Sequence, residues 1–162
     1  MAKADQNQLR VVMRQWTTGV SIVSTQYQGN QHGMTVSSFT SVSLDPQVVT
    51  ISLTKSARTH DMIQKAGCFG ITILSDEQQR ISELFAGQAT ESEDRFQGLE
   101  SLTLTTGAPF IKGGLAYLDC EVIAFHDFGT NSLIIGGVKV TKVGESGKPL
   151  IYYDQRYNKL QD

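Results

Sequence analysis

The sequence lacks long apolar segments and contains few cysteines, and both shortages exclude classes of protein. No apolar run approaches the roughly 18 residues needed to cross a bilayer, so no transmembrane helix is predicted. The only cysteines, Cys68 and Cys120, show no CxxC spacing, which argues against a disulfide framework and against a zinc site. Both thiols lie in strand-like runs and are predicted to be buried.

An excess of basic charge is also missing. The 14 basic and 16 acidic residues give a net charge of −2, which supplies no positive field for nucleic acid or for an anionic membrane surface. Residues 1–8 contain no apolar segment typical of a signal peptide, so a cytoplasmic location is expected. The 162 residues, of which 40% are hydrophobic and 19% charged, fit a single globular domain spanning residues 1–162.

The first half of the chain mixes helices with strands. Apolar residues at helical spacing predict a first helix whose apolar face packs into the core: Leu9, Val12, Met13 and Trp16. A hairpin with its turn at Gln28-Gly29 follows, and further strands are predicted at 48–53 and 68–74. Helices are predicted at 58–65, ending at Gly67, and from a Ser75–Gln78 capping box to about Phe85.

The second half consists mainly of predicted strands, at residues 102–105, 116–128, 133–143, 150–153 and 156–160. Turns containing glycine, at Gly129 and at residues 144–147, join long antiparallel strands in the way that a closed or nearly closed barrel requires. The pattern therefore predicts a mainly β fold, a β-barrel with a few packed helices.

Motifs of several common enzyme classes are absent from the sequence. Neither G-x-G-x-x-G nor G-x-x-x-x-G-K-[ST] occurs, so a Rossmann or P-loop nucleotide site is not predicted. The three histidines, His32, His60 and His126, show no metal-ligand spacing, and no G-x-S-x-G elbow is present. A metal hydrolase and a serine hydrolase are both disfavoured, and no metal site is predicted.

Residues 35–44, TVSSFTSVSL, concentrate hydroxyl groups and small side chains beside two predicted strands. Small side chains let a flat polar ring approach the backbone, where amides and hydroxyls can pair with the acceptors and the donor of a flavin isoalloxazine. The alternative interpretation is a strand rich in Ser and Thr whose polar face lies in water.

Residues 52–61, SLTKSARTHD, join the end of a strand to the start of a helix and include two cations and several hydroxyls. Helix N-terminal amides, a guanidinium and hydroxyls together can form a phosphate site. The alternative is an ordinary N-cap with flanking surface charges. A flavin mononucleotide needs both a ring site and a phosphate site, and this chain offers a candidate for each.

Five motifs together resemble the flavin reductase-like family. They are WTTGVSIV (16–23), GMTVSSFTSVSLDP (33–46), KSART (55–59), FAG (85–87) and PLIYY (149–153). The match runs in order through nearly the whole chain. The resemblance implies an antiparallel, Greek-key, FMN-binding split barrel, and many members of the family serve as the reductase component of a two-component flavin monooxygenase.

The resemblance also implies a set of residues that bind FMN or FAD. Those implied for the isoalloxazine are Thr35, Val36, Ser37 and Ser38. Those implied for the ribityl and phosphate side are Ser41, Val42 and Ser43, and those for the phosphate region are Lys55, Ser56, Arg58 and Thr59. Those implied for the mouth of the site are Phe85, Ala86, Gly87, Glu93, Asp94, Arg95 and Phe96.

One motif departs from the family pattern. Members often carry Gly-Asp-His before the strand that corresponds here to residues 132–138, and that His contacts the nicotinamide. This chain has Gly129-Thr130-Asn131, and the Asn amide can donate and accept a hydrogen bond but cannot become cationic. The residues implied for the nicotinamide side are Gly129, Asn131 and Tyr157. His126 would point to the opposite strand face and is interpreted as a surface residue.

The leading hypothesis is an enzyme, an NAD(P)H-dependent reductase of FMN or FAD. Hydride would pass from the nicotinamide to flavin N5, and the reduced flavin would supply a partner monooxygenase. Because the cofactors carry this chemistry, no catalytic side chain is predicted. Sequence motifs leave open whether NADH or NADPH is used, and whether the flavin is FMN or FAD, tightly bound or exchanged.

Two alternatives belong to other classes. The first is a non-enzymatic flavoprotein that holds FMN and receives electrons from a protein partner, as the altered turn at residues 129–131 would permit. The second is an oxidase of the pyridoxamine phosphate oxidase-like group, which the 33–46 block disfavours. A homodimer is expected by resemblance to split-barrel flavoproteins, and because one barrel leaves a side of the flat cofactor open to water.

Overall fold

The computed structural model describes residues 4–88 and 94–161. Its elements in chain order are α1 (Gln6–Met13), β1 (Thr18–Gly19), β2 (Ser21–Tyr27), β3 (Asn30–Val36), β4 (Thr40–Leu44), β5 (Gln47–Thr54), α2 (Arg58–Ala66), β6 (Cys68–Ile73), α3 (Gln79–Glu83), a wide helical turn (Leu84–Gln88), β7 (Ser101–Thr103), β8 (Pro109–Ile111), β9 (Ala116–Phe128), β10 (Asn131–Val143), β11 (Ile151–Tyr153) and β12 (Arg156–Asn158). The mainly β fold predicted from the sequence is confirmed.

Seven strands form the main sheet, in the spatial order β3-β2-β6-β9-β10-β5-β4, and every neighbouring pair is antiparallel. Val36 on β3 and Val49 on β5 lie near opposite edges of this sheet, yet both belong to one buried cluster with Ile51 and Phe69. The sheet must therefore curl around that core. Its edge strands, β3 and β4, are consecutive in the chain, so the barrel is split between them.

Smaller sheets complete the molecule. Strand β11 pairs with β1 and with β12, and β7 pairs with β8. A second buried cluster, which includes Val20, Leu74, Phe85 and Leu150, packs beneath the β1-β11-β12 sheet. This arrangement brings the C-terminal strands beside the start of β2 and beside the turn after α3. In the described parts of the chain, no helix has the length and apolar character needed to cross a membrane.

The predicted burial of the first helix is wrong. Helix α1 forms as the spacing predicts, but no residue along Gln6–Met13 is buried. The exposed fraction is 54% for Leu9 and 68% for Trp16. Helical spacing shows only that these side chains share a face, and among the described residues of the single chain none buries that face.

Three local predictions also need correction. Helix α3 starts at Gln79 rather than after Ser75, because Gln78 Oε1 accepts a hydrogen bond from the Ser75 amide (3.1 Å) in a turn that precedes the helix. Strand β8 is absent from the predicted set. Cys120 is buried as predicted, whereas Cys68, the first residue of β6, is only half-buried.

Candidate functional site

A cavity of about 320 Å³ lies where β3, the start of α2, the turn after α3 and the β11-β12 hairpin meet. This volume is within the range of about 300 to 1,000 Å³ that is typical of small-molecule sites. The residues that line it are Val20, His32, Met34, Thr35, Val36, Ser37, Ala57, Arg58, Thr59, Phe85, Ala86, Arg95, Tyr152 and Tyr157. Apolar walls are thus combined with two guanidinium groups and several hydroxyls.

Strand β3 forms one side of this cavity. Thr35 Oγ1 donates a hydrogen bond to the Ser82 carbonyl oxygen (2.6 Å), and Ser82 Oγ lies 2.8 Å from Tyr157 Oη. Tyr152 packs edge to face against Tyr157, with ring centroids 5.4 Å apart. These contacts fix the end of β3, helix α3 and the C-terminal hairpin relative to one another.

The start of α2 forms the polar end of the cavity. Ala57 is the N-cap residue, and no side chain caps the helix. Arg58 and Thr59, the first two helical residues, line the cavity. Uncapped amides at a helix start, together with a guanidinium, favour an anionic ligand.

His32 lies at the junction of β3 and α2. The residue is only 5% exposed, and its Nδ1 lies 2.8 Å from Thr59 Oγ1. Burial, and then the positive charges of Arg95 and Arg58, lower the pKa of His32 to about 4, while Asp94 opposes the shift. The imidazole is therefore neutral at physiological pH. Its buried Nε2 has no hydrogen-bond partner among the described residues.

Arg95 closes the cavity from the side of the turn after α3. Its Nη1 donates hydrogen bonds to the carbonyl oxygens of Gly33 (2.9 Å) and Phe85 (3.0 Å). Phe96 is 5% exposed and packs edge to face on Phe85, with ring centroids 5.0 Å apart. Arg95 thus ties two walls together, whereas Phe96 lies behind the wall that Phe85 forms.

The structure brings together many of the residues implied for cofactor binding. Those lining the cavity are Thr35, Val36, Ser37, Arg58, Thr59, Phe85, Ala86, Arg95 and Tyr157. Those that do not line it are Ser38, Ser41, Val42, Ser43, Lys55, Ser56, Gly87, Asp94, Phe96, Gly129 and Asn131. Glu93 lies outside the described residues.

Within the hydroxyl-rich segment, Ser38 does not line the cavity and is hydrogen-bonded to a neighbouring strand. Its Oγ donates to the Ser52 carbonyl oxygen (2.9 Å) and accepts from the Ser52 amide (3.0 Å). Both hydrogen bonds join the segment after β3 to β5 and leave the hydroxyl facing the strand. Ser41 and Val42 are exposed on the edge strand β4 and are not among the residues that line the cavity.

The ammonium of Lys55, which the resemblance implied for the phosphate region, points to another part of the molecule. Lys55 Nζ lies 3.4 Å from Asp127 Oδ2, at a second cavity of about 370 Å³ that His60 and Phe125 also line. A hydrogen bond from Ser132, and then the contact with Lys55, lower the pKa of the Asp127 carboxyl. The positive charge of Lys55 is thus directed to a carboxylate on β9 rather than to the main cavity.

The turn at residues 129–131 contacts the segment before α2 rather than the cavity. Asn131 is opposite Thr54 in the β10-β5 pairing, and its Oδ1 accepts a hydrogen bond from Thr130 Oγ1 (3.2 Å). The Lys55 amide donates to the Thr130 carbonyl oxygen (2.8 Å). The turn therefore adjoins the segment that leads to Arg58. His126 is exposed on β9, as interpreted from the sequence.

The sequence motifs did not identify every residue of the cavity. Those missed are Val20, His32, Met34, Ala57 and Tyr152. All but His32 lie within the quoted motifs. The motifs therefore indicated the right segments but not which of their residues line the cavity. His32 immediately precedes the 33–46 block, and only the folded chain shows that it meets Thr59.

The lining residues fit a flavin. Met34, Phe85 and the tyrosine pair provide apolar walls for a flat ring, and the unpartnered Nε2 of His32 marks a polar group that the described protein atoms leave unsatisfied. Arg58 and the uncapped start of α2 suit a phosphate. Within residues 4–88 and 94–161, no three His, Cys, Asp or Glu side chains are grouped as metal ligands.

Comparison with known proteins gives the same assignment. The profile described as the flavin reductase like domain matches residues 13–161. An NADH-dependent flavin reductase of Rhodococcus sp is 35% identical over 156 residues, which cover 94% of this chain and 85% of that protein. The reductase subunit HsaB of a flavin-dependent monooxygenase from Rhodococcus jostii is 30% identical and covers 97% of this chain and 79% of its own length.

A solved structure agrees with these sequence relatives. Nitrilotriacetate monooxygenase component B from Mycobacterium thermoresistibile superposes with a TM-score of 0.90 at 34% identity, covering 97% of this chain and 87% of that chain. The resemblance seen in the sequence motifs is confirmed. The chain belongs to the flavin reductase-like domain family.

Proposed function

We propose that the chain is an NADH-dependent flavin reductase, acting as one domain, that transfers hydride from the nicotinamide to flavin N5. This proposal rests on the main cavity, in which the β3 edge and the cationic start of α2 meet. The non-enzymatic carrier would use the same flavin site, but the named relatives are reductases. Reduced flavin would pass to a partner monooxygenase, as the name of the HsaB relative states for that protein.

The chain's own residues would bind and orient the flavin. Backbone and hydroxyl groups at Thr35 and Ser37 would meet the polar edge of the ring, and Met34 and Phe85 would line its faces. Arg58 and the first turn of α2 would hold the phosphate. The bound flavin supplies the hydride-accepting chemistry, so the protein needs to align the two reactants and exclude water.

The nicotinamide side is proposed to include Tyr157, which lines the cavity, and the turn that contains Gly129 and Asn131. That turn adjoins the segment before α2 through the hydrogen bond between the Lys55 amide and the Thr130 carbonyl oxygen. Asn131 would offer one neutral hydrogen bond to the carboxamide in place of the family's histidine. This proposal concerns orientation of the donor and involves no proton transfer.

A homodimer is part of the proposed function. The exposed apolar face of α1, with Leu9, Val12 and Met13, is a surface that a second chain would cover. A second chain would also shield a flat ligand in a cavity that one barrel leaves open to water. We place the protein in the cytoplasm, where its pyridine nucleotide substrate is available.

Calorimetric titration with FMN and with FAD tests the flavin site directly. Folded protein should release or absorb heat with at least one of the two and should turn yellow on reconstitution. Folded protein that gives no binding signal with either flavin would contradict the proposal.

A further inference from the structure

We propose that Ser132 and His60 are positioning residues, through which the β9-β10 hairpin holds the start of α2 in place for a flavin phosphate. This inference rests on the proposed function and adds a specificity determinant to it. Neither residue lines the main cavity, so neither is a direct ligand. Their expected effect is on the preference for FMN over riboflavin, which differ only in the phosphate.

A chain of polar contacts joins the hairpin to the helix. His60 Nε2 lies 2.8 Å from Ser132 Oγ, and Ser132 Oγ donates to Asp127 Oδ1 at 2.7 Å. Because the single Ser132 proton is directed to the carboxylate, His60 Nε2 must carry the hydrogen and donate it to Ser132 Oγ. Asp127 in turn contacts Lys55 Nζ at 3.4 Å. The chain therefore begins and ends on the segment 55–60.

The segment between these two ends carries the candidate phosphate residues. At its beginning, the Lys55 amide donates to the Thr130 carbonyl oxygen (2.8 Å), and at its end His60 contacts Ser132. Both contacts are to the β9-β10 hairpin. Arg58 and Thr59 lie between them, so the hairpin helps to fix the first turn of α2, together with the contact of Thr59 Oγ1 with His32 Nδ1 on β3 (2.8 Å).

The start of α2 depends on these contacts more than the rest of the helix does. Met62 and Ile63, in the second turn, are buried in apolar surroundings and anchor the helix to the sheet. In the first turn Arg58 is exposed, and the fixed points are polar. His60 and Ser132 are 7% and 0% exposed, so solvent cannot readily replace their hydrogen bond.

The test compares affinities for FMN and riboflavin by quenching of flavin fluorescence. Ser132→Ala removes the shared hydroxyl. We expect this variant to lower the affinity for FMN about three- to tenfold, as loss of one hydrogen bond implies. Riboflavin affinity should change less than about twofold, because the ring site on β3 is not touched. Equal weakening of both ligands would show a merely structural role and overturn the inference.

A matched pair at position 60 tests the same contact without changing the hairpin. His60→Gln places an amide nitrogen near the position of Nε2, whereas the shorter His60→Asn cannot reach Ser132. Gln should keep the wild-type ratio of FMN to riboflavin affinity, and Asn should lower it as Ser132→Ala does. His126→Asn, on the exposed part of β9, is the control and should leave the ratio unchanged.

The outcomes separate this inference from the proposed function. A wild-type protein that binds neither flavin would contradict the proposed function itself. Wild-type binding with an unaltered ratio in both His60→Asn and Ser132→Ala would overturn only the positioning role. Should Ser132→Ala fail to fold, the pair at position 60 decides the question alone.

Discussion

Arg58 is the one guanidinium on the first turn of α2, among the described residues, and its side chain lines the main cavity. Arg58→Ala is expected to lower the affinity for FMN about tenfold, because a charge-assisted hydrogen bond to the phosphate is lost. Riboflavin, which has no phosphate, should bind almost as before. Titration of both ligands measures this, with Arg58→Lys as the variant that keeps the charge. Equal losses for the two ligands would show that Arg58 does not face the phosphate.

His32 should make the stability of the protein depend on pH. Its pKa is about 4 in the folded chain and 6.5 without burial, so between these values the unfolded chain binds more protons. The contribution of His32 to the free energy of unfolding is therefore fully present above pH 6.5 and is lost as the pH drops toward 4. The total loss is about 3 kcal/mol.

Chemical denaturation at a series of pH values measures this effect. The variant His32→Gln, which cannot titrate, should show a flatter pH dependence between pH 6.5 and about 5, above the range of most carboxyl groups. The exposed His126→Gln serves as the control and should behave as the wild type does. Parallel curves for wild type and His32→Gln would mean that the pKa of His32 is the same in the folded and the unfolded chain.

The hydroxyl-rich segment shows how far individual residues can be predicted. Its composition and motif singled out Thr35 and Ser37, which do line the main cavity, because small polar side chains at a strand end are a local property. The same composition gave no reason to distinguish Ser38 from Thr35 and Ser37, although the Ser38 hydroxyl is hydrogen-bonded to Ser52 on another strand. His32 was missed for a similar reason, since its partner Thr59 is distant in sequence.

The turn of the β9-β10 hairpin is expected to affect binding of the pyridine nucleotide. Asn131→Ala should raise KM for NADH about three- to tenfold, because it removes one neutral hydrogen bond to the carboxamide. Flavin affinity should remain nearly unchanged, since Asn131 does not line the main cavity. Steady-state kinetics with NADH varied at saturating flavin provide the measurement. Loss of flavin binding with unaltered nucleotide kinetics would place the turn at the flavin instead.

The long strands were predicted more accurately from the sequence than the packing of the first helix. The long strands β9 and β10 were found almost to the residue, because continuous β-forming residues between glycine turns are a local signal. Strand β8 was missed because it is only three residues long and begins with Pro109. Helix α1 was correctly predicted as a helix, but its neighbours depend on the rest of the molecule, and its apolar face is exposed.

For the whole molecule, we expect a homodimer that covers the apolar face of α1. Sedimentation should give twice the 17.8 kDa mass of the chain at micromolar concentration. Val12→Glu, which places a charge on the apolar face, should shift the equilibrium toward monomer, whereas Gln8→Glu on the same helix should not. A wild-type protein that sediments as a monomer with flavin bound would contradict this expectation.

The central claim is that this chain reduces flavin with a pyridine nucleotide. Anaerobic stopped-flow mixing of the flavin-loaded protein with NADH tests it most directly, by following absorbance in the visible flavin band, with NADPH supplied in a parallel experiment. We expect rapid bleaching with NADH. Protein that binds flavin but shows no bleaching with either nucleotide would contradict a flavin reductase and would support a flavoprotein that receives its electrons from a protein partner.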